Sequence, residues 1–489
     1  MNEPVVIIGG GPAGIAAALE LSRHGVAVVL LEAEEALGGL SRTRQFQGAR
    51  FDVGPHRFFT KNREIRQLWR QTLGEDFLEV DRLTRIFYGG QFFQYPLSLG
   101  DTLRKVGPVT AAGFAASYLG ARLRAAVAKR SPETFEEWVV AQFGRRLFEA
   151  FFQTYTEKVW GIPCQQIGAE WAAQRIKGLS LAEAIRNALR RSRGNGSTAS
   201  AAAAKPTVKT LVERFQYPRL GAGQMYEHIA ARARGQSAQV LLNTKAVGLR
   251  HERGRVVAVL TEPGEEIPCA QVLTSNPITE VVLGCDPAPP PAVSAAARAL
   301  RYRGHLCVNL LVEGELFPDQ WIYVHAREVQ LGRVASYANF SADMRAPSQA
   351  NPITVEYFQF PEDELYQRDD EALIEHAKGE LHTMGIVQPD QVSGGFVVRH
   401  PVAYPVLELG YAPQLKTLRE FLQTIENLHP IGRGGLFKYN NQDHSIATGL
   451  LAARNIIGAG ARGERGAGAP GDVWEVNIDA EYLEAGKAE

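Results

Sequence analysis

Apolar and polar positions at the start of the chain predict a strand, a helix and a second strand. Residues 4–8 (PVVII) form a short apolar run, which is typical of a buried parallel strand. Residues 13–24 have the period of a helix, and residues 26–32 (VAVVLLE) form another apolar run. From about 63 to 190 the pattern is mostly helical, with aromatic residues interspersed. The chain therefore opens with a predicted βαβ unit and continues into a helical region.

The remaining strands are predicted in separate groups. Short strands with turn signals occur over residues 238–277, and further strand segments follow at 303–314, 320–326 and 352–360. A Gly-rich turn and a helix over residues 444–458 close the pattern. Because the strand groups alternate with helices, we expect interleaved domains that share one ligand.

Length, charge and cysteine content restrict the class of protein. At 489 residues the chain exceeds the size of one ordinary core. Lys and Arg number 53 and Asp and Glu number 53, so no basic excess indicates a nucleic-acid partner. The four cysteines stand far apart, without a CxxC pair or a ligand-spaced histidine cluster. This pattern favours reduced thiols in a cytoplasmic protein and predicts no metal site. It predicts no particular oligomeric state.

The apolar segment at residues 107–129 comes nearest to the length of a membrane span, but Arg122 and Arg124 interrupt it. We therefore predict an amphipathic helix. This helix either packs within the protein or rests on a membrane surface or a lipid-like substrate, and both alternatives stay open. The N-terminal apolar run is too short for a signal peptide. The expected location is cytoplasmic, with peripheral membrane contact as the open alternative.

Three glycines after the first strand have the spacing of a dinucleotide-binding turn. In Gly9-x-Gly11-x-x-Gly14, the first glycine permits a tight turn and the second lets a pyrophosphate approach the backbone. The third lets the helix and the strand pack closely. Pro12 and Ala13 begin the helix, whose N-terminal N–H groups would face the phosphates.

An acidic residue at the end of the second strand completes this fingerprint. Glu32, followed by Ala33, lies 18 residues after Gly14, where a carboxylate can accept hydrogen bonds from ribose hydroxyls. An acid at this position disfavours a 2′-phosphate and therefore NADP. The strand, the glycines, the helix and the acid together predict a bound dinucleotide.

A second glycine pair favours FAD over NAD. The run Gly38-Gly39-Leu40-Ser41-Arg42 offers N–H donors and a cation to the same diphosphate. This run resembles the second diphosphate motif of the FAD-dependent amine oxidase superfamily. The resemblance implies that FAD is the cofactor.

Later segments resemble the same superfamily. Residues 217–230 (YPRLGAGQMYEHIA) are similar to its Pro-x-Gly-Gly turn and helix, and Val247 stands where its backbone meets the adenine. Gly432 and Arg433 precede the last helix, as in its C-terminal motif beside the flavin pyrophosphate and ribityl chain. The resemblance implies an α/β fold, with a Rossmann-type FAD-binding domain interleaved with an α+β substrate domain and a helical lid.

The domain boundaries follow from these segments. The predicted FAD-binding domain has three parts, and the other regions lie between and after them. The three FAD-binding parts are residues 1–62, 207–285 and 426–460. Residues 63–206 are predicted to form a mostly helical lid or substrate region that ends in a flexible loop (193–206). Residues 286–425 are predicted to form a β-rich substrate domain, and residues 461–489 a mobile tail.

Other motifs resemble UDP-galactopyranose mutases in particular. Residues 51–62 (FDVGPHRFFTKN) are similar to their Gly-Pro-His segment, in which the histidine lies against the isoalloxazine. Residues 155–161 (YTEKVWG) and 432–443 are similar to two further mutase motifs. The resemblance implies catalytic roles for His56, Arg57, Trp160 and Tyr404, and contacts to the flavin from Gly54, Pro55, His56, Asn441, Gln442 and His444. The N-terminus of the last helix would face the flavin edge where negative charge builds on reduction.

Several of these residues also have a structural interpretation. His56 could be a satisfied structural histidine, and Trp160 could belong to an aromatic core. Lys158 could be a solvated lysine, and Asn441 or Asp443 could cap the last helix. These alternatives stay open at the level of the sequence.

The reaction is also left open. Mutases carry a second arginine in an Arg-Ile-Pro-x-Arg element, whereas residues 175–179 here are RIKGL. The FAD motifs also resemble those of protoporphyrinogen-oxidase-like and phytoene-desaturase-like proteins, which take hydrides from large apolar substrates. We therefore expect an oxidoreductase that accepts a hydride at flavin N5 from an apolar or sugar-like small molecule. The alternatives are a redox-neutral, mutase-like isomerase acting on a nucleotide sugar and a flavoprotein scaffold without turnover.

Overall fold

The computed structural model describes residues 3–97, 99–127, 131–169, 171, 213–262, 264–462 and 471–477. The predicted loop at 193–206 and the segment 175–179 lie outside this part of the chain. The strands are β1 (Val5–Ile8), β2 (Val28–Leu31), β3 (Thr43–Phe46), β4 (Ala49–Asp52), β5 (Phe77–Asp81), β6 (Thr84–Tyr88), β7 (Gln91–Gln94), β8 (Arg214–Pro218), β9 (Gln239–Leu241), β10 (Ala246–Glu252), β11 (Arg255–Thr261), β12 (Glu266–Pro268), β13 (Gln271–Thr274), β14 (Cys285–Asp286), β15 (Tyr302–Val312), β16 (Trp321–Val324), β17 (Arg333–Ser336), β18 (Asn351–Gln359), β19 (Val392–Pro405) and β20 (Leu428–Pro430).

Helices separate these strands. The α-helices are α1 (Pro12–Arg23), α2 (Arg63–Leu73), α3 (Leu99–Val127), α4 (Phe135–Phe143), α5 (Arg145–Phe148), α6 (Thr154–Trp160), α7 (Ala222–Arg234), α8 (Ile278–Leu283), α9 (Pro291–Ala299), α10 (Glu364–Gln367), α11 (Asp370–Thr383), α12 (Tyr411–Gln423), α13 (Gly432–Gly435) and α14 (Gln442–Arg462). A π-helical turn, Glu149–Gln153, joins α5 to α6.

A five-stranded parallel sheet carries the predicted βαβ unit. Its strand order is β20-β13-β1-β2-β9, and all four residues of β1 are buried, as expected for a strand covered on both faces. Helix α1 packs closely against the turn after β1 and against α14, because a glycine stands at each of these two contacts. A Cβ on Gly14 would collide with the carbonyl oxygen of Gly9, and one on Gly449 would collide with the carbonyl oxygen of Ala13. The predicted α/β fold is confirmed. A second sheet has four strands in the order β12-β11-β10-β14.

The third sheet has seven strands in the order β19-β15-β18-β17-β16-β6-β7. Strands β6 and β7 come from a region that the sequence pattern predicted as mostly helical, and that expectation is wrong for residues 77–94. The runs FLEVD, TRIFY and QFFQ are short and rich in aromatic or β-branched residues, which favours strands. Strand β6 pairs in parallel with β16, and β5 pairs with β8. Both partners lie much later in the chain, so local periodicity did not reveal them.

A helical layer lies beside the seven-stranded sheet. Helix α3 is broken at Gly107, which has a φ of 79°, and Pro108 begins the second segment, so the predicted helix is present from there. A capping box starts α4, where the Thr134 hydroxyl accepts a hydrogen bond from the Glu137 N–H at 3.1 Å. Phe114 of α3 and Phe151 pack against Phe93 of β7. Within the described residues, none of the helices combines the length and the apolar character that crossing a bilayer requires.

Part of the predicted tail packs on the protein body. The Lys438 ammonium donates to the Val476 carbonyl oxygen at 3.1 Å, and the Asn477 amide donates to Asn440 Oδ1 at 2.8 Å. Residues 471–477 therefore differ from the mobile tail expected over 461–489.

Candidate active site

The two glycine turns face each other across a cleft. Gly39 has a φ of 54°, and a Cβ built on it would lie 3.2 Å from Gly11 Cα. A Cβ built on Gly11 would meet only Gly39 Cα, at 3.9 Å, and would otherwise project into open space. Gly9 has a φ of 100°, and a Cβ there would collide with the Ser275 hydroxyl. The bare backbone of Gly11 is therefore accessible from the cleft.

Glu32 lies beside the first glycine turn, at the wall of this cleft. Its Oε2 accepts a hydrogen bond from the Gly10 N–H at 2.7 Å, and its Oε1 accepts one from the Glu34 N–H at 3.0 Å. These contacts fix the carboxylate at the wall of the cavity, at the end of β2. The arrangement suits a group that accepts hydrogen bonds from ribose hydroxyls.

Arg42 lies behind the second glycine turn and does not line the cavity. Its Nε donates to the Gly39 carbonyl oxygen at 2.9 Å, and its Nη1 lies 2.9 Å from Glu34 Oε2. The sequence motif predicted that this cation contacts the diphosphate. In the structure the charge is directed to Glu34, and Arg42 positions the turn that begins at Gly38.

The cleft continues into one cavity of about 1040 Å³. Many of the residues that the sequence singled out line it. They are Gly9, Gly11, Pro12, Ala13, Glu32, Gly39, Leu40, Ser41, Pro55, His56, Arg57, Trp160, Tyr404, Arg433, Asn441, Gln442 and His444.

Other predicted residues lie outside the lining. Gly14, Ala33, Arg42, Gly54, Val247 and Gly432 are not part of it. Gly432 lies behind the wall, because a Cβ on it would come within 3.2 Å of Ala13 Cβ. Val247 is 47% exposed on β10, so its side chain faces solvent and not the cavity.

A buried carboxyl group anchors the segment before His56. Asp52 Oδ1 accepts hydrogen bonds from the Thr43 hydroxyl at 2.6 Å and from the Ala222 N–H at 3.0 Å. Asp52 Oδ2 accepts one from the Tyr217 hydroxyl at 2.6 Å. Burial raises the pKa of Asp52 to about 7, although these donors oppose the shift. The contacts hold β4 and the turn after it against α7.

His56 presents a neutral imidazole to the cavity. Burial, together with the positive charges of Arg433 and Arg333, lowers the pKa of His56 to about 3. Its Nδ1 is buried and has no hydrogen-bond partner among the described residues. A ligand in the cavity could supply that partner, which a satisfied structural histidine would not need.

An ion-pair network that the sequence did not reveal lies behind His56. The Glu356 carboxylate is fully buried and accepts hydrogen bonds from Arg333 Nη2 at 2.6 Å and from His305 Nε2 at 2.7 Å. Arg333 Nε also donates to it, and Cys307 Sγ lies 3.5 Å from His305 Nε2. Burial alone would raise the pKa of Glu356, but the Arg333 charge and these hydrogen bonds lower it to about 2.

The network packs against the Gly54 turn and reaches the cavity through Arg333 and His305. A Cβ on Gly54 would lie 2.6 Å from Glu356 Oε1, so the Gly54 turn can only pack here without a side chain. Arg333 itself lines the cavity. His305, Cys307 and Glu356 lie close enough together to resemble a metal-ligand group. Because the Arg333 guanidinium pairs with the Glu356 carboxylate, these three residues belong to an ion-pair network with Arg333.

Aromatic rings form the walls of the far part of the cavity. Tyr155 stacks on His325 with ring centroids 4.9 Å apart, and Tyr404 stacks on Tyr439 at 5.6 Å. The Arg433 guanidinium lies over both Tyr404 and Tyr439, at 4.9 and 5.1 Å from their centroids. The paired tyrosines were missed in the sequence because they lie on separate elements, β19 and the loop before α14. We refer to this region as the aromatic pocket.

Lys158 is a partly buried hydrogen-bond donor, and its charge acts on the nearby His325. Lys158 Nζ donates to the carbonyl oxygens of Ala326 at 2.6 Å and Leu331 at 3.0 Å. Burial lowers its pKa to about 8. The lysine therefore stabilises the loop after β16 and is not simply solvated. Burial, with the Lys158 charge, lowers the pKa of His325 to about 3, so this ring also faces the cavity as a neutral group.

The start of α14 closes the cavity between the two regions. Asn441, Gln442 and His444 line it, at the N-terminus of a 21-residue helix. The Arg433 Nε donates to the Asn440 carbonyl oxygen at 2.9 Å, which ties α13 to this helix start. N–H groups at a helix start carry partial positive charge, so this edge favours a negatively charged group.

Comparison with known proteins identifies the family. The family model for flavin containing amine oxidoreductases matches residues 12–457. The chain belongs to this family. It is therefore a flavoenzyme with FAD as its cofactor, as the sequence motifs implied.

The individual curated relatives of this flavin containing amine oxidoreductase match only parts of the chain. A Klebsiella pneumoniae protein named as a UDP-galactopyranose mutase is 29% identical over 177 residues, which cover 34% of this chain and 44% of the relative. A carotenoid 3,4-desaturase of Haloarcula japonica is 45% identical over 54 residues, or 11% of each chain. The matched segments thus span less than half the length of these curated relatives.

Solved structures share the fold. A reduced UDP-galactopyranose mutase superimposes with a TM-score of 0.79 at 20% identity, covering 94% of both chains. A protein from Exiguobacterium named as a protoporphyrinogen oxidase superimposes with a TM-score of 0.69 at 19% identity, covering 93% of this chain and 99% of that one. At these identities the likeness shows the common architecture.

The residues present fit FAD. The uncovered backbone of Gly11 permits close approach of a diphosphate, and Glu32 is held where a ribose would lie. The cavity is long enough to continue from these groups to the unpartnered Nδ1 of His56 and the start of α14. This donor and acceptor set matches an elongated, diphosphate-containing cofactor with a polar ring at its far end.

Proposed function

We propose that this protein is an FAD-dependent oxidoreductase whose small-molecule substrate, apolar or sugar-like, binds in the aromatic pocket. The observation that carries the proposal is the continuity of the cavity. The glycine-lined cleft and the aromatic pocket form one space, with His56 and the start of α14 between them. A substrate in the pocket would therefore lie next to the ring end of the cofactor.

The chain's own residues would orient the reactants and hold the polar groups of the site. FAD, when bound, supplies the acceptor for a hydride. The N–H groups around Gly11 and Gly39 would contact the diphosphate, and Glu32 would hold the ribose. The N-terminus of α14 would stabilise negative charge at the ring. Because His56 and His325 are neutral near pH 7, neither would repel a substrate cation or lose a proton there.

The aromatic pocket would exclude water from the reacting carbon. Tyr155, Trp160 and Tyr404 line the cavity. Aromatic rings bind apolar groups and also stack on sugar rings, so they suit both of these substrate types. Trp160 is almost fully buried, with 2% of its surface exposed, so it shapes the wall from behind.

Anaerobic reduction of the bound flavin tests this function. The FAD-loaded protein, mixed without oxygen with a panel of polyenes, porphyrinogens, amines and sugar alcohols, should lose its visible flavin absorption with one member of the panel. The same compounds mixed with free FAD provide the control. If no compound reduces the flavin and only dithionite does, the oxidoreductase proposal loses its support.

A redox-neutral isomerase is the second candidate. The 29% identity to a protein named as a UDP-galactopyranose mutase and the shared architecture favour it. The cationic Arg433 stacked over Tyr404 and Tyr439 would also suit a nucleotide sugar. This candidate predicts that dithionite-reduced protein interconverts UDP-galactopyranose and UDP-galactofuranose and that oxidised protein does not. Equal inactivity of both forms would exclude it.

Replacing His56 separates a cofactor-facing role from a structural one. We expect His56→Ala to retain FAD and to lower kcat by roughly tenfold to a hundredfold, because the imidazole would no longer contact the bound ring or substrate. His400→Ala is the matched control, since burial also keeps the pKa of His400 low, at about 3, but this ring does not line the cavity. Flavin absorbance and steady-state rates measure both effects. Loss of FAD or of folding in His56→Ala would instead establish the structural role.

A further inference from the structure

The face of helix α3 that points away from the protein is apolar. Val109, Leu119, Leu123 and Val127 are exposed by 85%, 61%, 71% and 82%, and the exposed Ala112 and Ala116 lie between them. We call these six residues the outer stripe. At about 100° per residue they fall on one side of the segment that begins at Pro108.

The opposite side of the same segment is the side that packs on the protein. Phe114, Tyr118 and Ala121 are buried, and they lie roughly 180° around the helix from the centre of the outer stripe. Core packing therefore accounts for one face of α3 and leaves the outer stripe unexplained. Among the described residues, four of the nine exposed large hydrophobic side chains belong to this helix. Exposed large hydrophobic side chains are therefore concentrated on α3, whereas on most surfaces they are scattered singly.

Positive charge borders the outer stripe. Residues 102–132 contain six basic residues and no acidic residue, although the whole chain has a formal net charge of zero. Arg122 and Arg124 are exposed on α3, and they fall on opposite edges of the stripe. An apolar face with arginines at its edges is the pattern of a helix that lies in the plane of an anionic membrane.

We propose that the outer stripe of α3 binds the surface of a membrane that contains anionic phospholipids. Val109, Leu119, Leu123 and Val127 enter the acyl boundary, and Arg122 and Arg124 contact lipid phosphates. A second copy of this chain is a poorer occupant. Pairing two such helices would bring basic edges together, and the segment 108–127 that carries the stripe has no acidic residue to neutralise them.

This inference goes beyond the proposed function and does not depend on it. Its connection to the site is spatial. Ile86 and Phe151 line the cavity and also pack in the same cluster as Phe114 of α3. A membrane under the outer stripe would therefore lie on the far side of α3 from this part of the cavity wall.

Sedimentation with vesicles tests the membrane contact. The FAD-loaded full chain is mixed with sucrose-loaded vesicles of phosphatidylcholine alone or of equimolar phosphatidylcholine and phosphatidylglycerol, and flavin absorbance is measured in the pellet. We expect the wild-type protein to sediment with the anionic vesicles. Leu119→Gln/Leu123→Gln should lower the partition coefficient by about tenfold or more, because both side chains leave water on binding. Arg122→Gln/Arg124→Gln should weaken binding several-fold on anionic vesicles only, and added salt should have the same effect.

A matched control and a second measurement keep the test decisive. Leu409→Gln changes a leucine that is 51% exposed on another part of the surface and should leave vesicle binding unchanged. All the substituted side chains are exposed, so the variants should fold and retain FAD. Failure of the wild-type protein to sediment, or equal sedimentation of Leu119→Gln/Leu123→Gln, would overturn the proposal. A dimer in light scattering that the double leucine variant dissociates, without vesicle binding, would show instead that two copies meet at the outer stripe.

Discussion

Replacing Gly11 by valine should give a folded protein that retains no FAD. Gly11 has extended backbone dihedrals, φ −81° and ψ −176°, which a β-branched residue adopts without strain. The valine side chain would therefore stand in the cleft between the two glycine turns, where Gly39 Cα is the nearest atom. That is the space the cofactor diphosphate requires, so we expect FAD affinity to fall at least about a hundredfold, or roughly 3 kcal/mol.

The ratio of flavin to protein absorbance after purification and FAD titration of the apo-protein measure this loss. Gly379→Val is the matched control, because Gly379 lies exposed in α11 with no atom within 4 Å of its added Cβ. Circular dichroism of both variants should match that of the wild-type protein. A yellow Gly11→Val protein with unchanged affinity would mean that the diphosphate does not bind between these turns.

The cofactor end of the site was predictable because its determinants are local in sequence. Gly9, Gly11 and Glu32 belong to one βαβ unit and Gly39 follows it directly, so their expected roles could be assigned from local spacing. The start of α14 was also predictable, because a segment with helical periodicity follows a Gly-rich turn there. Arg42 shows the limit of this reasoning. Its cation was expected to contact the diphosphate, but the nearby Glu34 directs the guanidinium away from the cavity.

The substrate end was less predictable because strand pairing assembles it. Arg333 pairs with Glu356 across β17 and β18, and Glu356 pairs with Cys307 across β18 and β15. No local motif joins these three residues. Strand β6 was missed for the same reason, since its partner β16 follows much later. Periodicity identifies a strand's own faces, but it does not identify the residue that will lie opposite.

The buried pair of Glu356 and Arg333 should be strongly coupled, and a double-mutant cycle would measure the coupling. Glu356→Gln keeps a hydrogen-bond acceptor for His305 but leaves the Arg333 cation buried without its counter-charge. Arg333→Met leaves the Glu356 anion in the same position. We expect each single variant to lose about 3–5 kcal/mol in the free energy of unfolding. The double variant should lose less than the sum by roughly 2–3 kcal/mol, measured by urea unfolding of FAD-loaded protein.

Acid should remove this coupling, and the direction follows from the pKa of Glu356. The pKa is lowered from 4.5 to about 2, mainly because the Arg333 charge and hydrogen bonds outweigh the effect of burial. A carboxyl group with a depressed pKa stabilises the fold above its unfolded value, so the contribution is complete above about pH 4.5. It is lost as the pH falls towards 2, and the gap between wild type and Glu356→Gln should close over that range. A gap that persists at low pH would mean that shape, and not charge, makes Glu356 necessary. Because Arg333 lines the cavity, Arg333→Met should also bind substrate poorly under conditions where it is folded. Weak substrate binding by folded Arg333→Met would distinguish a direct role of Arg333 at the cavity from a purely structural one.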